Sequence, residues 1–142
     1  MRSLLLAIMF FSFSGVVMAK EYSVGQVWSY KTRNGEESST ILINKIDKDP
    51  KFGKIFHISV RDVHVLNPHV PSGITTDLPH FPVSEITLEK SCIKIVGHAS
   101  PNPEYLEGYK VWREAFDANK GGVFDTSVAE IVGIIEQSVS GQ

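Results

Sequence analysis

The 142-residue sequence has only one cysteine, Cys92, so the chain cannot form an intramolecular disulfide. Its stability must therefore come from packing. Leu88, Cys92 and Ile95 recur at helical spacing on one apolar face. This pattern favours a buried, unreactive thiol over two alternatives, a nucleophile and an intermolecular disulfide.

The sequence also has few of the patterns that bind phosphate, nucleic acid or metal. Its 14 basic residues are scattered among 16 acidic ones, which argues against a nucleic-acid partner. Gly121-Gly122 is not followed by Lys-Ser or Lys-Thr, so no phosphate-binding loop is expected. The sequence has five histidines but no H-E-x-x-H or H-x-H motif. Because these spacings are typical of metal sites, no metal or other cofactor is expected. His69 and His80 are the nearest approach to a metal site, since folding could bring them together.

No apolar run is long enough to span a bilayer, because the longest, over residues 4–17, is shorter than the roughly 18–20 residues required. Arg2 precedes this run, and Val17-Met18-Ala19 has the small-x-small pattern that signal peptidase cleaves. The sequence therefore predicts a signal peptide over residues 1–19 and export to the periplasm or the medium. An uncleaved anchor is the alternative. Cleavage leaves one domain over residues 20–142, with no transmembrane segment.

The first half of this domain alternates apolar and polar residues as β-strands do. The pattern predicts strands over 26–33, 39–47 and 54–66, with Asn34-Gly35 as the first turn. Phe56, Ile58 and Val60 share one face of the third strand, but the parity changes near Arg61-Asp62, which indicates a β-bulge or the end of the strand. A three-stranded antiparallel β-meander is expected.

The second half is predicted to be helical after a proline-rich loop over residues 67–82. The first helix is expected to begin after the N-cap Ser84 and to end at Gly97. The second follows Asn102-Pro103, and the third begins after Ser127, which forms a capping box with Glu130. The predicted fold class is α+β, with about three helices packed on one face of the meander.

Tyr105, Tyr109, Trp112 and Phe116 repeat along the second helix at intervals of four, three and four residues. Core packing is the expected role of this aromatic stripe, because a single apolar stripe is what lets a surface helix cover a sheet. A ligand groove is the alternative.

The candidate catalytic residues are His57, Ser59 and Glu36. His57 and Ser59 lie two residues apart on one face of the third strand, and Glu36 in the first hairpin loop could approach them. A base, a nucleophile and an orienting acid are the groups that a hydrolase needs. However, two residues along a strand separate side-chain origins by roughly 6–7 Å, and no G-x-S-x-G motif accompanies them. A polar, solvent-facing strand surface is the simpler interpretation.

The candidate binding residues are Trp28, Tyr30, Arg33, His69 and His80. Trp28 and Tyr30 have polar neighbours on the first strand, so partial exposure is expected. Exposed tryptophan and tyrosine side chains commonly anchor protein partners.

Two blocks, V-W-x-Y-x-T-R over residues 27–33 and G-Y-x-x-W-R-x-A-F over residues 108–116, resemble a family of short exported bacterial proteins. The resemblance covers most of the mature chain. It implies a bacterial, single-domain protein and carries no activity, catalytic residue or binding residue.

The leading functional expectation is a non-enzymatic protein-binding module with a partner in the cell envelope, such as an inhibitor, an immunity-type factor or an accessory subunit. It depends on the predicted export, the small size and the shortage of catalytic motifs. The alternatives are a small hydrolase that uses His57 and Ser59, and a carrier whose small-ligand pocket lies between the sheet and the helices.

Overall fold

A computed structural model describes Ser12, Ser14, Gly15 and residues 19–141. The predicted signal peptide therefore lies largely outside the described residues. Along the chain the elements are β1 (Gln26–Tyr30), β2 (Thr40–Asp49), β3 (Gly53–Arg61), β4 (Val65–Leu66), β5 (Ile74–Thr75), β6 (Leu78–Ser84), α1 (Glu85–Ser91), β7 (Cys92–His98), α2 (Tyr105–Asp117) and α3 (Val128–Ser140).

Five strands form one antiparallel sheet in the order β6-β3-β2-β1-β7, and β4 pairs with β5 in a separate hairpin. The α+β class is confirmed, and the predicted meander forms the centre of the sheet. The sheet is wider than predicted because one strand is added at each of its edges.

One face of the sheet carries the main hydrophobic core. Its strands contribute buried aromatic and branched residues at alternate positions, including Trp28, Ile43 and Phe56, as period-two side-chain geometry requires. Leu88 from α1 and Ile131 from α3 are buried in the same cluster. Both helices therefore cover this face.

Helix α2 packs on β3 and β6 from the opposite face, so the prediction that all helices share one face is wrong. The reason lies in β3, where Ile55, His57 and Ser59 alternate with the core residues and are themselves completely buried. A strand that is buried on both sides needs a cover on each.

The proline-rich stretch is not a continuous loop. Pro79 and Pro82 lie within β6, which pairs with β3 alone on one side. Proline is tolerated there because an edge strand needs hydrogen-bond donors on only one side.

The helix predicted to end at Gly97 ends at Ser91 instead, and Cys92–His98 continues as β7 beside β1. Pairing with β1 outweighed the helical spacing, since isoleucine and valine favour strands. Ser84 is the N-cap as predicted, with its side chain accepting a hydrogen bond from Thr87 N. Cys92 is buried as predicted, although in a strand.

Three other local predictions can be compared with the structure. Asp62 has a φ of 58°, directly after the end of β3, which accounts for the change of parity there. Ser127 caps α3 by accepting from Glu130 N. Helix α2 begins two residues later than Pro103, with Glu104 as its N-cap.

Among the described residues, no helix combines the length and apolarity needed to cross a membrane.

Candidate functional site

A chain of hydrogen bonds joins a carboxylate and two imidazoles beneath α2. His57 on β3 is completely buried; its Nε2 lies 2.9 Å from Asp47 Oδ2 on β2. Its Nδ1 lies 2.9 Å from His80 Nε2 on β6. The antiparallel sheet sets this arrangement, because β3 lies between β2 and β6.

The carboxylate determines where the protons of this chain reside. Asp47 accepts, so Nε2 of His57 carries a proton, and Nδ1 of His57 then accepts from the N–H of His80. Burial lowers the pKa of His57 to about 4, although Asp47 acts in the opposite direction. Burial and the neighbouring His57 lower the pKa of His80 to about 4. Both rings are therefore neutral near pH 7.

The aromatic stripe of α2 encloses these rings. The rings of Tyr109 and Trp112 each meet the His57 ring edge-on, with centroids 4.7 Å apart. Tyr109 donates its hydroxyl hydrogen to Asp47 Oδ2 at 2.9 Å. Burial, together with Asp47, raises the pKa of that hydroxyl. The stripe covers the sheet as predicted, but it lies outside the main hydrophobic core, and Tyr109 and Trp112 pack on the polar His57.

Two cations stand beside the carboxylate at the surface. Arg113 Nη1 lies 3.8 Å from Asp47 Oδ2, and Lys45 Nζ lies 3.7 Å from Asp47 Oδ1. Asp47 is therefore shared among a buried imidazole, a tyrosine hydroxyl and two partly exposed cations. Sequence reasoning missed Asp47 and did not link Tyr109 of the aromatic stripe to it, because β2 and α2 are far apart along the chain.

Ser59 belongs to a different hydrogen-bond network from His57. Its hydroxyl donates to the Pro79 carbonyl at 2.7 Å and accepts from Asn44 Nδ2 at 2.8 Å. Ser59 is completely buried, as is His57, so the expectation of a solvent-facing strand surface is wrong. The predicted base and nucleophile neither contact each other nor face solvent, because α2 and the chain before it cover them.

Glu36, the third candidate catalytic residue, is part of a third network. It accepts two hydrogen bonds from Arg33, at 2.6 and 3.0 Å, and one from the backbone N–H of His64. Arg33 also donates to Glu136 on α3 at 3.0 Å. Arg33 lowers the pKa of Glu36 against the effect of burial. These two candidates therefore hold the β1–β2 loop against α3.

The remaining predicted binding residues are divided between core and surface. Trp28 and Tyr30 are each only 4% exposed, so the expectation that they are partly exposed is wrong. They lie on the core face of β1, where the Tyr22 ring packs against the rings of both Trp28 and Phe56. His69 is exposed between β4 and β5.

His80 hydrogen-bonds to His57 rather than joining His69 in a metal site. In the part of the chain that the structure describes, no cluster of three or more His, Cys, Asp and Glu side chains is suited to a metal ion.

The two edges of the main sheet differ in how well they are protected. Pro79 and Pro82 interrupt the donors of β6, and Phe124 bridges to Val83 on its outer side. Within the described residues, β7 pairs with no strand other than β1, although the Lys20 ammonium donates to the carbonyl of Cys92 at its start. The strand exposes Ile93 (51%), Ile95 (41%) and Val96 (49%). Three β-branched residues within four positions, Ile93, Ile95 and Val96, were the available sequence signal for this edge strand.

Comparisons with protein-family models, curated proteins and solved structures gave no match to this chain. The family resemblance seen in the sequence therefore stays a prediction.

Proposed function

We propose that this chain is an exported, non-enzymatic protein-binding module and that an extended segment of a partner protein docks along β7. The observation that carries the proposal is the exposed apolar edge of β7. An edge strand with free backbone groups is a template for adding another strand.

The contrast between the two edges supports a specific role for β7. Natural sheets protect their edges from unwanted pairing with prolines, charges, bulges or covering segments. Two prolines and the Phe124 bridge provide that protection at β6. Strand β7 has one lysine and two bulges, yet it still presents three branched aliphatic side chains to solvent. Retaining such a surface at one edge alone favours a docking function.

The bulges of β7 turn two of these side chains outward. The pairing of β7 with β1 skips Ile93 between Lys94 and Cys92, and it skips Val96 between Gly97 and Ile95. Each skipped residue lies outside the regular ladder. Ile93 and Val96 are thus available to a partner, while the ladder to β1 stays intact on either side.

Export is the second part of the proposal, and the beginning of the domain supports it. Tyr22 is buried against Trp28 and Phe56, three residues after the predicted cleavage site. Cleavage after Ala19 would leave every core residue that the structure describes within the mature chain.

Site-specific crosslinking tests the docking surface. A photoreactive side chain replaces Ile95 on β7 or, as a control, the exposed Val111 on α2, in protein produced by its own host. We expect crosslinks to one partner from position 95 and none from position 111, with the crosslinked peptide lying in an extended segment. Serine at both Ile93 and Val96 should abolish the crosslink, whereas serine at the similarly exposed Leu106 and Ile134 should not.

Equal crosslinking at both positions, or a yield unaffected by the β7 serines, would contradict docking at β7. Export is tested separately by sequencing the N-terminus of the native protein. We expect Lys20 as its first residue in an extracytoplasmic fraction. A protein that still begins at Met1, or that fractionates with the cytosol, would contradict export.

A further inference from the structure

Two exposed lysines lie at the β7 edge of the sheet. Lys94 on β7 pairs with Ser29 across the ladder, on the side opposite the main core, and Lys31 directly follows the last residue of β1. The Lys31 N–H donates to the Ser91 carbonyl at 2.9 Å, which holds this residue beside the start of β7. Both lysines are exposed, and neither forms an ion pair with any residue that the structure describes.

The other face of the same edge is apolar. Ile95 pairs with Trp28, whose side chain belongs to the main core, so Ile95 extends that core to the rim of the sheet. A strand added outside β7 would place its successive side chains on alternate faces. The set on the side opposite the main core would lie next to Lys94, with Lys31 one strand further in at the end of β1, and the other set would lie next to Ile95.

We infer that the partner segment is a strand of alternating acidic and aliphatic residues, whose carboxylates pair with Lys94 and Lys31 and whose aliphatic side chains cover Ile95. This inference rests on the proposed strand addition and specifies its partner. Opposite charges on facing strand positions stabilise the pairing, and like charges destabilise it. Charge complementarity also selects among partners and speeds their association.

A second copy of this chain is a poorer occupant of the same edge. A fully overlapped, symmetric antiparallel pair of β7 strands would place Ile95 opposite Ile95 and the two copies of Lys94 at diagonal positions across the pair. The like charges would then lie close to each other without an acidic residue of β7 between them, since Cys92–His98 contains none.

Two synthetic peptides test the inference with the mature domain. The acidic probe is acetyl-TEVEVEVET-amide, and the basic probe is acetyl-TKVKVKVKT-amide. Amide hydrogen exchange identifies the protected strand, and titration followed by NMR gives the dissociation constant. At low salt we expect the acidic probe to protect β7 and to bind roughly tenfold more tightly than the basic one. Added salt should reduce this preference.

Charge reversal at the two lysines provides the decisive comparison. The K31E/K94E variant should prefer the basic probe, while the matched control K110E/K120E, which changes two exposed lysines elsewhere, should keep the original preference. If both probes protect β7 with equal affinity in the unmodified domain, the acidic partner is overturned while strand addition stands. If neither probe protects β7, docking at this edge is itself overturned.

Discussion

His57 and His80 form a direct hydrogen bond between two neutral imidazoles, Nδ1 to Nε2 at 2.9 Å, across neighbouring strands beneath α2. The bond leaves one proton between the two facing nitrogens. Asp47 compensates for one added charge on this pair, but a second would place two cations face to face, one completely buried and the other half-buried. The packing of α2 on the sheet therefore depends on the protonation of this pair.

Acid should destabilise the fold through these residues. Their pKa values are about 4 in the folded protein, whereas unperturbed histidine titrates near 6.5. Between these values the unfolded chain binds more protons, so the free energy of unfolding falls as the pH falls, by about 1.4 kcal/mol per pH unit for each proton. Above the pKa of histidine in the unfolded chain, the contribution of this pair to the free energy of unfolding no longer changes with pH.

Urea denaturation between about pH 7 and about pH 4 measures this slope. The H80Q variant should lose stability less steeply than the unmodified domain, because one titrating group is gone. The H69Q variant, which alters an exposed histidine, should retain the original slope. Identical slopes in H80Q and the unmodified domain would contradict the assignment to the buried pair.

Gly108→Ala should weaken the packing of α2 on β6. An added Cβ would lie 3.0 Å from His80 Cβ and 3.1 Å from its Nδ1, so the helix or the ring must shift. Overpacking of this kind costs about 1–3 kcal/mol, which exceeds the gain of roughly 1 kcal/mol in helix propensity. Gly133→Ala on α3 meets nothing within 4 Å and should stabilise the protein. Thermal denaturation of both variants gives the comparison, and a stabilised Gly108→Ala would contradict this packing.

Tyr22→Phe and Tyr30→Phe should have opposite effects on stability. Among the described residues, the buried hydroxyl of Tyr22 has no hydrogen-bond partner, whereas Tyr30 Oη lies 2.7 Å from Ser39 Oγ. Removing an unsatisfied hydroxyl should raise the free energy of unfolding by up to about 1 kcal/mol, while removing the bonded one should lower it by about 1 kcal/mol. Chemical denaturation measures both. A loss at Tyr22 equal to that at Tyr30 would show that the Tyr22 hydroxyl is satisfied.

Glu36→Gln should destabilise the fold much more than the same type of change at an exposed ion pair. Glu36 is buried and accepts from Arg33 and from His64 N, so its loss leaves the guanidinium only partly paired. Because Arg33 is partly exposed, we expect about 2 kcal/mol rather than the full cost of a deeply buried pair. Asp117→Asn, which breaks the exposed pair with Arg113, should cost less than about 1 kcal/mol. Equal losses in the two variants would contradict a structural role for Glu36.

The sequence predicted those local features that depend only on residues close together in the chain. The caps Ser84 and Ser127 form as predicted, because a side-chain oxygen and an N–H three residues later meet in any helix. The alternation of Phe56 and Ile58 was also sufficient to orient β3, since side-chain direction in a strand follows from parity.

The candidate site was less predictable because its members come together only after folding. His57 and Ser59 were identified, but their burial depends on α2, and the true neighbour of His57 is Asp47 on another strand. Trp28 and Tyr30 have polar neighbours in sequence, yet β1 is an interior strand whose core face is covered. Composition along one strand does not say which of its faces will be covered.

The amino-acid order alone specified the meander, the caps, the third helix and a chain that must fold without a disulfide, since each follows from short-range geometry or from residue counts. Tertiary pairing determined that residues 92–98 form a strand, that His57 meets His80, and that β7 rather than β6 carries the open edge. The physical reason is that helical and extended preferences over such short segments differ by at most a few kcal/mol, which hydrogen bonds and burial against distant residues outweigh.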